Sequence, residues 1–215
     1  MNQIRFEGRN AQFFSTLRAR IDAYFTDNNI KSSGNWKLYS KTIILGLTLL
    51  ALYVTLVFFT PATAVAVILC ILLGVNFATI GFNVMHDACH GSFSTKGWVN
   101  DIFGLTHNFL GGNAFMWKLK HNIIHHTYTN IDGLDDDIAK YPLFRLSPHQ
   151  KRLWFHQYQH IYSLILYFFT TVNWILFDDY LKVATKKINH TEIRTFKAAD
   201  HVEFWLGKLL NLGLF

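Results

Sequence analysis

Charge is scarce in this sequence, and its distribution is uneven. Only 16% of the 215 residues are Asp, Glu, Lys or Arg, and none of these falls within residues 42–86. A run of 45 uncharged residues excludes an ordinary soluble surface there and points to a membrane. Cysteine is nearly absent. Cys70 and Cys89 are the only two, and Cys70 lies inside the apolar run, which excludes a disulfide framework. Residues 1–40 are polar and charged, with no short apolar core ahead of a small-residue cleavage site. No cleavable signal peptide is expected. Internal repeats and low-complexity segments are also absent.

Hydrophobic residues make up 51% of the chain and aromatics 16%. Residues 42–60, "TIILGLTLLALYVTLVFFT", span about 28 Å as a helix, enough for one bilayer crossing. Pro61 follows and ends or bends that helix. Residues 62–85 give a second crossing of about 36 Å. This exceeds a hydrocarbon thickness of about 30 Å, so its far end should emerge at the surface, where His86 lies. The expected fold is all-α and membrane-integral, a helical hairpin with a helical cap.

Basic residues set the orientation. Arg5, Arg9, Arg18, Arg20, Lys31, Lys37 and Lys41 precede the first span, and the turn at Pro61 has none. Twelve more lie between His86 and His201. The positive-inside rule places both flanks in the cytoplasm. The net charge of +6 suits anionic headgroups or phosphorylated substrates. No nucleic-acid partner is expected. Phe13, Phe14, Leu17, Ile21, Tyr24 and Phe25 recur at helical spacing with Arg18 and Arg20 among them. This predicts either an interfacial helix on the cytoplasmic leaflet or a helix packed on the rest of the chain. The segment 160–177 is long enough to cross, but basic residues flank it on both sides, so it is expected to lie at or dip into the interface. Residues 202–215 begin another apolar helix that is too short to cross, which reads as a cut third membrane helix. The chain is thus expected to be one incomplete domain. Its segments are a cytoplasmic N-terminus (1–41), the hairpin (42–85), a cytoplasmic cap (86–201) and the start of a cut helix (202–215).

All eleven histidines fall between His86 and His201. "HDACH" sets His86 and His90 at i and i+4, on one face of a helix. "HNIIHH" does the same for His121 and His125, with His126 expected about 100° further round an α-helix. Neutral imidazole is a good ligand for Fe, Zn, Cu or Ni. A random HxxxHH is expected only about 0.03 times in such a chain. Together with "HDACH" at the end of a span, it therefore favours a metal site over scattered surface histidines. His107 is either structural or a supporting group. His149, His156, His160 and His190 read as surface or interfacial, and His201 stays open.

"HDACHGSF" followed by "WKLKHNIIHHTYTNIDGLDDDI" resembles the integral-membrane fatty acid desaturases, most closely their front-end acyl-CoA or acyl-lipid, linoleoyl-CoA desaturase-like branch. The resemblance covers nearly the whole chain. It implies that His86 and His90 form a first histidine box and His121, His125 and His126 a second. It implies two Fe ions, with O2 as co-substrate, removing two hydrogens from an acyl chain to leave a cis double bond. Breaking an unactivated C–H bond needs such a metal–oxygen oxidant. The implied partners are a fatty acyl-CoA or acyl-lipid substrate, membrane lipid, and a separate ferredoxin or cytochrome b5 as electron donor, since no His-Pro-Gly-Gly occurs here. The implied location is a multi-pass protein of the bacterial inner membrane, with the boxes on the cytoplasmic side.

Asp87, Asp101, Asp135, Asp136 and Asp137 are candidates to orient box histidines through their free N–H. The three in a row equally suit a solvated turn. Lys118 and Lys120 are candidates for a headgroup or CoA phosphate. Family members carry a third box after two further spans. The 215 residues lack it, so this form is expected to be inactive or to lose most of its metal. A membrane hydroxylase or ketolase uses a similar histidine set. A zinc-dependent membrane hydrolase and a non-catalytic membrane protein are the alternatives of other classes.

Overall fold

The computed structural model describes residues 11–214. Arg5 and Arg9 of the basic N-terminal segment, and Phe215, lie outside the described residues. Helix α1 (Ala11–Asp27) carries Phe13, Phe14, Leu17, Ile21 and Tyr24 on its apolar face, all exposed. It is therefore not packed on the rest of the chain, which leaves the interfacial expectation standing.

The hairpin follows. Helix α2 (Trp36–Phe58) is capped by Asn35, whose side chain accepts from the Lys37 and Leu38 amides at 3.0 and 3.3 Å. Helix α3 runs Thr63–Cys89. Both are long and apolar enough to cross a membrane, and their apolar windows are 0% and 11% buried within the protein. Such unburied apolar surface is what lipid solvates. The helix bounds differ from the apolar runs: α2 begins six residues before Thr42 and ends at Phe58, and α3 begins at Thr63 and continues past Met85 to carry His86 inside its last turn. A polar and a charged contact set the hairpin's register. Asn76 donates to the Leu45 carbonyl at 3.3 Å, and Lys41 to Asn83 at 2.7 Å. Ile80, Val84, Ala88 and Phe93 form a core where the hairpin meets helix α4 (Gly97–Gly104).

Beyond it come the short α5 (Thr106–Phe109) and α6 (114–128), the latter with a π-helical stretch at Lys118–His125. The segment read as 160–177 is not one helix. It breaks at Phe169 into α7 (Trp154–Phe168) and α8 (Thr170–Thr185), which meet at a bend of 54°. A two-residue hairpin, β1 (Lys187–Ile188) with β2 (Thr191–Glu192), departs from the all-helical expectation. Asn189 takes a left-handed conformation in its turn, and Ile188 is fully buried. Helix α9 (Ala198–Leu214) buries Phe204, Gly207, Lys208 and Asn211 on one face. At Gly207 a Cβ would sit 2.4 Å from Asn108 and 2.6 Å from Asn113, so only glycine permits this close approach. Phe204, Ile188, Phe115, Met116 and Ile124 make the second core, directly under the second histidine pair.

Candidate metal centre

Both histidine pairs follow or occupy π-helical turns. In α3 the turn Gly81–Met85 precedes His86, whose amide donates to the Gly81 carbonyl five residues back. In α6 the His126 amide donates to the His121 carbonyl in the same way. An i→i+5 bond adds a residue to the turn, and such turns recur at functional sites. The wider turn brings His126 closer to the face of His121 than an α-helix would. Its ring stands 4.9 Å from that of His121 and 4.8 Å from that of His90.

The five box histidines converge. His86 and His90 lie 4.5 Å apart ring to ring, and His121 is 5.4 and 5.2 Å from them. His125 stacks on His121 at 4.9 Å. Among the described residues, two groups offer three donor atoms within 4.8 Å: His86, His90 and His121, and His121, His125 and Asp137. The second is better understood as support for the first. His125 Nδ1 is already 3.0 Å from Asp135 and 3.2 Å from Asp137, which leaves Nε2 as its free donor.

The donor chemistry fits a transition metal. Burial first, then the neighbouring His86, His121 and His126, pushes the His90 pKa down to about 4. Burial, then His121, His125 and His86, lowers the pKa of His126. These are neutral imidazoles with lone pairs to offer. His90 Nε2 is buried and has no hydrogen-bond partner, the signature of an atom whose ligand is not a protein group. Asp137 is held well below the usual carboxylate range, chiefly by its contact with His121 and also by Lys120 at 2.7 Å.

The other candidates separate clearly. Asp135 is fully buried, accepts from the Asn130 and Asp137 amides, and grips His125. Asp136 turns away from the histidines to Lys182. Asp87 lies 3.5 Å from His86. Asp101 is exposed and pairs with Lys118 at 3.1 Å, outside the cluster. Lys120 is committed to Asp137. His107 is buried behind the cluster, edge-on to Trp117 and Trp174, with Gly112 so close that a Cβ would meet its ring at 2.1 Å. Sequence reasoning missed Trp117, which stacks on His121 at 4.2 Å. It also missed Lys182 and Lys208, basic residues that the fold buries. For Lys208 its place inside the apolar run 202–215 was the available signal, whereas Lys182 stands just past the apolar segment 160–177, beside Asp178 and Asp179.

A cleft of about 580 Å³ runs from Gly74 and Phe77 on α3, past Phe82, Leu110 and Thr171, to His86 and His121. Its walls are mostly apolar, with Lys120 and Asp137 at the histidine end.

A helical hairpin of membrane-spanning length, joined to a polyhistidine cluster at the foot of an apolar cleft, defines a class of membrane-bound histidine-site proteins. The fatty acid desaturase family profile matches residues 61–214. The chain is 34% identical over 208 residues to the sn-1 linoleoyl-lipid 6-desaturase of Arthrospira platensis, covering 97% of this chain and 56% of that one. It is 34% identical to the Synechocystis sp. protein of the same name, covering 94% and 56%. To the acyl-lipid (8-3)-desaturase of Physcomitrium patens it is 29% identical, covering 95% and 43%. No solved structure matches. The chain belongs to the fatty acid desaturase family, in its front-end acyl-lipid group. It spans about half the length of the curated relatives it matches.

Proposed function

We propose that this chain carries the membrane hairpin and the first two histidine boxes of an O2-dependent acyl-lipid or acyl-CoA desaturase, with the boxes facing the cytoplasm. The observation that carries this reading is the convergence of His86, His90, His121, His125 and His126 at the end of an apolar cleft. The five histidines would hold iron, which supplies the oxygen-activating chemistry that an unactivated C–H bond requires. Two irons with about three protein donors each need about six. The boxes supply five imidazoles, so further donors complete the set, as the expected third box would.

The protein's own residues select and place the substrate. Phe77, Phe82, Leu110 and Trp117 receive the acyl chain and exclude water from the reacting carbons. His86 and His121 meet the cleft where the chain would pass. Lys120 and Asp137 mark its polar end. Asp135 fixes the His125 ring by accepting its Nδ1–H. Electrons come from a ferredoxin or a cytochrome b5.

Fatty-acid profiling of a host expressing the gene through its natural stop codon tests the reading. A new double bond is expected, lost in His125→Ala and retained in His149→Ala, whose residue is exposed. A hydroxylated product would reassign the enzyme to the hydroxylases. Bound zinc without oxygen dependence would reassign it to the hydrolases.

A further inference from the structure

Between the histidines and the membrane helices lies a buried set of charges that the reaction itself does not call on. Lys182, on α8, is buried and donates to Asp136 at 3.0 Å and to Asp178 at 2.7 Å. Lys208, on α9, is 2% exposed and donates to Asp179 at 2.7 Å and to the Trp174 carbonyl at 2.9 Å. Only the first of these lysines reaches the acidic loop 135–137.

In that loop each carboxylate has a different duty. Asp135 and Asp137 turn toward His125 and His121. Asp136, between them, is buried and faces the other way. Burial works to raise its pKa, yet Lys182, Lys140 and Lys120 outweigh this and keep it ionised. Of the three, Lys182 alone makes a direct hydrogen bond. Lys120 and Lys140 stand at 3.7 and 3.8 Å, Lys120 is already bound to Asp137, and Lys140 is partly exposed to solvent. A buried carboxylate stripped of its partner is strongly unfavourable. Turning Asp136 out toward water relieves it, and that movement draws its two neighbours from the histidines; protonation of Asp136 would remove the charge but also its hold on the helix.

We propose that Lys182 is a positioning residue of the metal centre: by anchoring Asp136 from a helix 46 residues away, it holds Asp135 and Asp137 against His125 and His121. The proposal rests on the metal-centre reading above. It also makes α8 part of the site, since the clamp joins the box only when that bent helix is docked.

The test compares Lys182→Met, Lys208→Met and Lys182→Met/Asp136→Asn in the full chain. One measurement is Co²⁺ titration by absorbance. The other is amide hydrogen exchange of residues 129–137 in the metal-free protein. Lys182→Met is expected to weaken Co²⁺ binding by about 10–100-fold, the usual range for a lost outer-shell partner, and to speed exchange across the loop. Lys208→Met should lower thermal stability while leaving both readouts near wild type. Removing the stranded charge as well should bring the double variant part of the way back, to a value between wild type and the single variant. Wild-type affinity and exchange in Lys182→Met would overturn the proposal. So would equal losses in the two lysine variants, which mean general loosening. If Lys182→Met does not fold, a double variant matching wild type in both readouts overturns it. If wild type itself binds no Co²⁺, the metal-centre reading fails, and loop exchange still decides the role of Lys182.

Discussion

Ile44, Leu47, Leu50, Ile68 and Ile71 of the hairpin turn their side chains outward and leave almost nothing buried. Between Asn108 and Asn211, by contrast, the buried residues include Asp135, Asp136, Asp179, Lys182 and Lys208. Lipid solvates the hairpin's apolar surface, so two polar contacts are enough to fix how its helices meet. Those five charges are shut off from solvent by the protein around them, so each must be answered by another polar group. The first region tolerates substitution because its environment is uniform. The second is unforgiving because each partner is a specific atom.

The largest effect should come from His121→Ala. His121 belongs to both donor groups and supports the stack with Trp117. Co²⁺ affinity should fall on the order of 100-fold or more, as read by absorbance titration; a loss under tenfold would place the metal elsewhere. Next comes Asp135→Asn, which keeps the shape but weakens the grip on His125 Nδ1. A drop of about 10–100-fold is expected, with the secondary structure intact by circular dichroism.

A smaller effect belongs to His107. Burial, with Lys120 and Lys208 nearby, pushes its pKa down from 6.5 to about 3. Between those values the unfolded chain binds a proton that the folded chain refuses. Stability from this residue therefore falls as pH drops from 6.5 toward 3, by up to about 1.4 kcal/mol per pH unit. Denaturant midpoints of His107→Gln against wild type should diverge at pH 7 and converge by pH 4. Parallel curves would show that His107 is not buried neutral. The smallest effect should be that of Asn76→Leu in the hairpin, under about 1 kcal/mol, measured by unfolding in mixed micelles. A cost above about 2 kcal/mol would mean the hairpin depends on specific partners as the histidine region does.

Much of the hairpin was legible because a charge-free run needs no tertiary information to interpret. The five histidines were legible for a related reason: i and i+4 spacing brings rings together in any helix. The arrangement of His126 was not, because the spacing argument assumed an α-helix and the backbone takes a π turn. The break at Phe169 was hidden within an unbroken apolar string. The pairings Lys182–Asp136 and Lys208–Asp179 span 46 and 29 residues, and no local pattern announces contacts at that range. Asp136 was grouped with Asp135 and Asp137 as a candidate support for a histidine, and its side chain instead faces Lys182.

The π turns beside the histidines, Gly81–Met85 and Lys118–His125, make helix length matter as much as residue identity. Each amounts to a single surplus residue accommodated without breaking the rod. Deleting one non-histidine residue from either stretch would restore an ordinary helix and swing His86 and His90, or His126, by about 100°, although no histidine had been altered. Among related chains, a one-residue gap at these two places is therefore a sharper warning of a dispersed histidine cluster than most substitutions nearby.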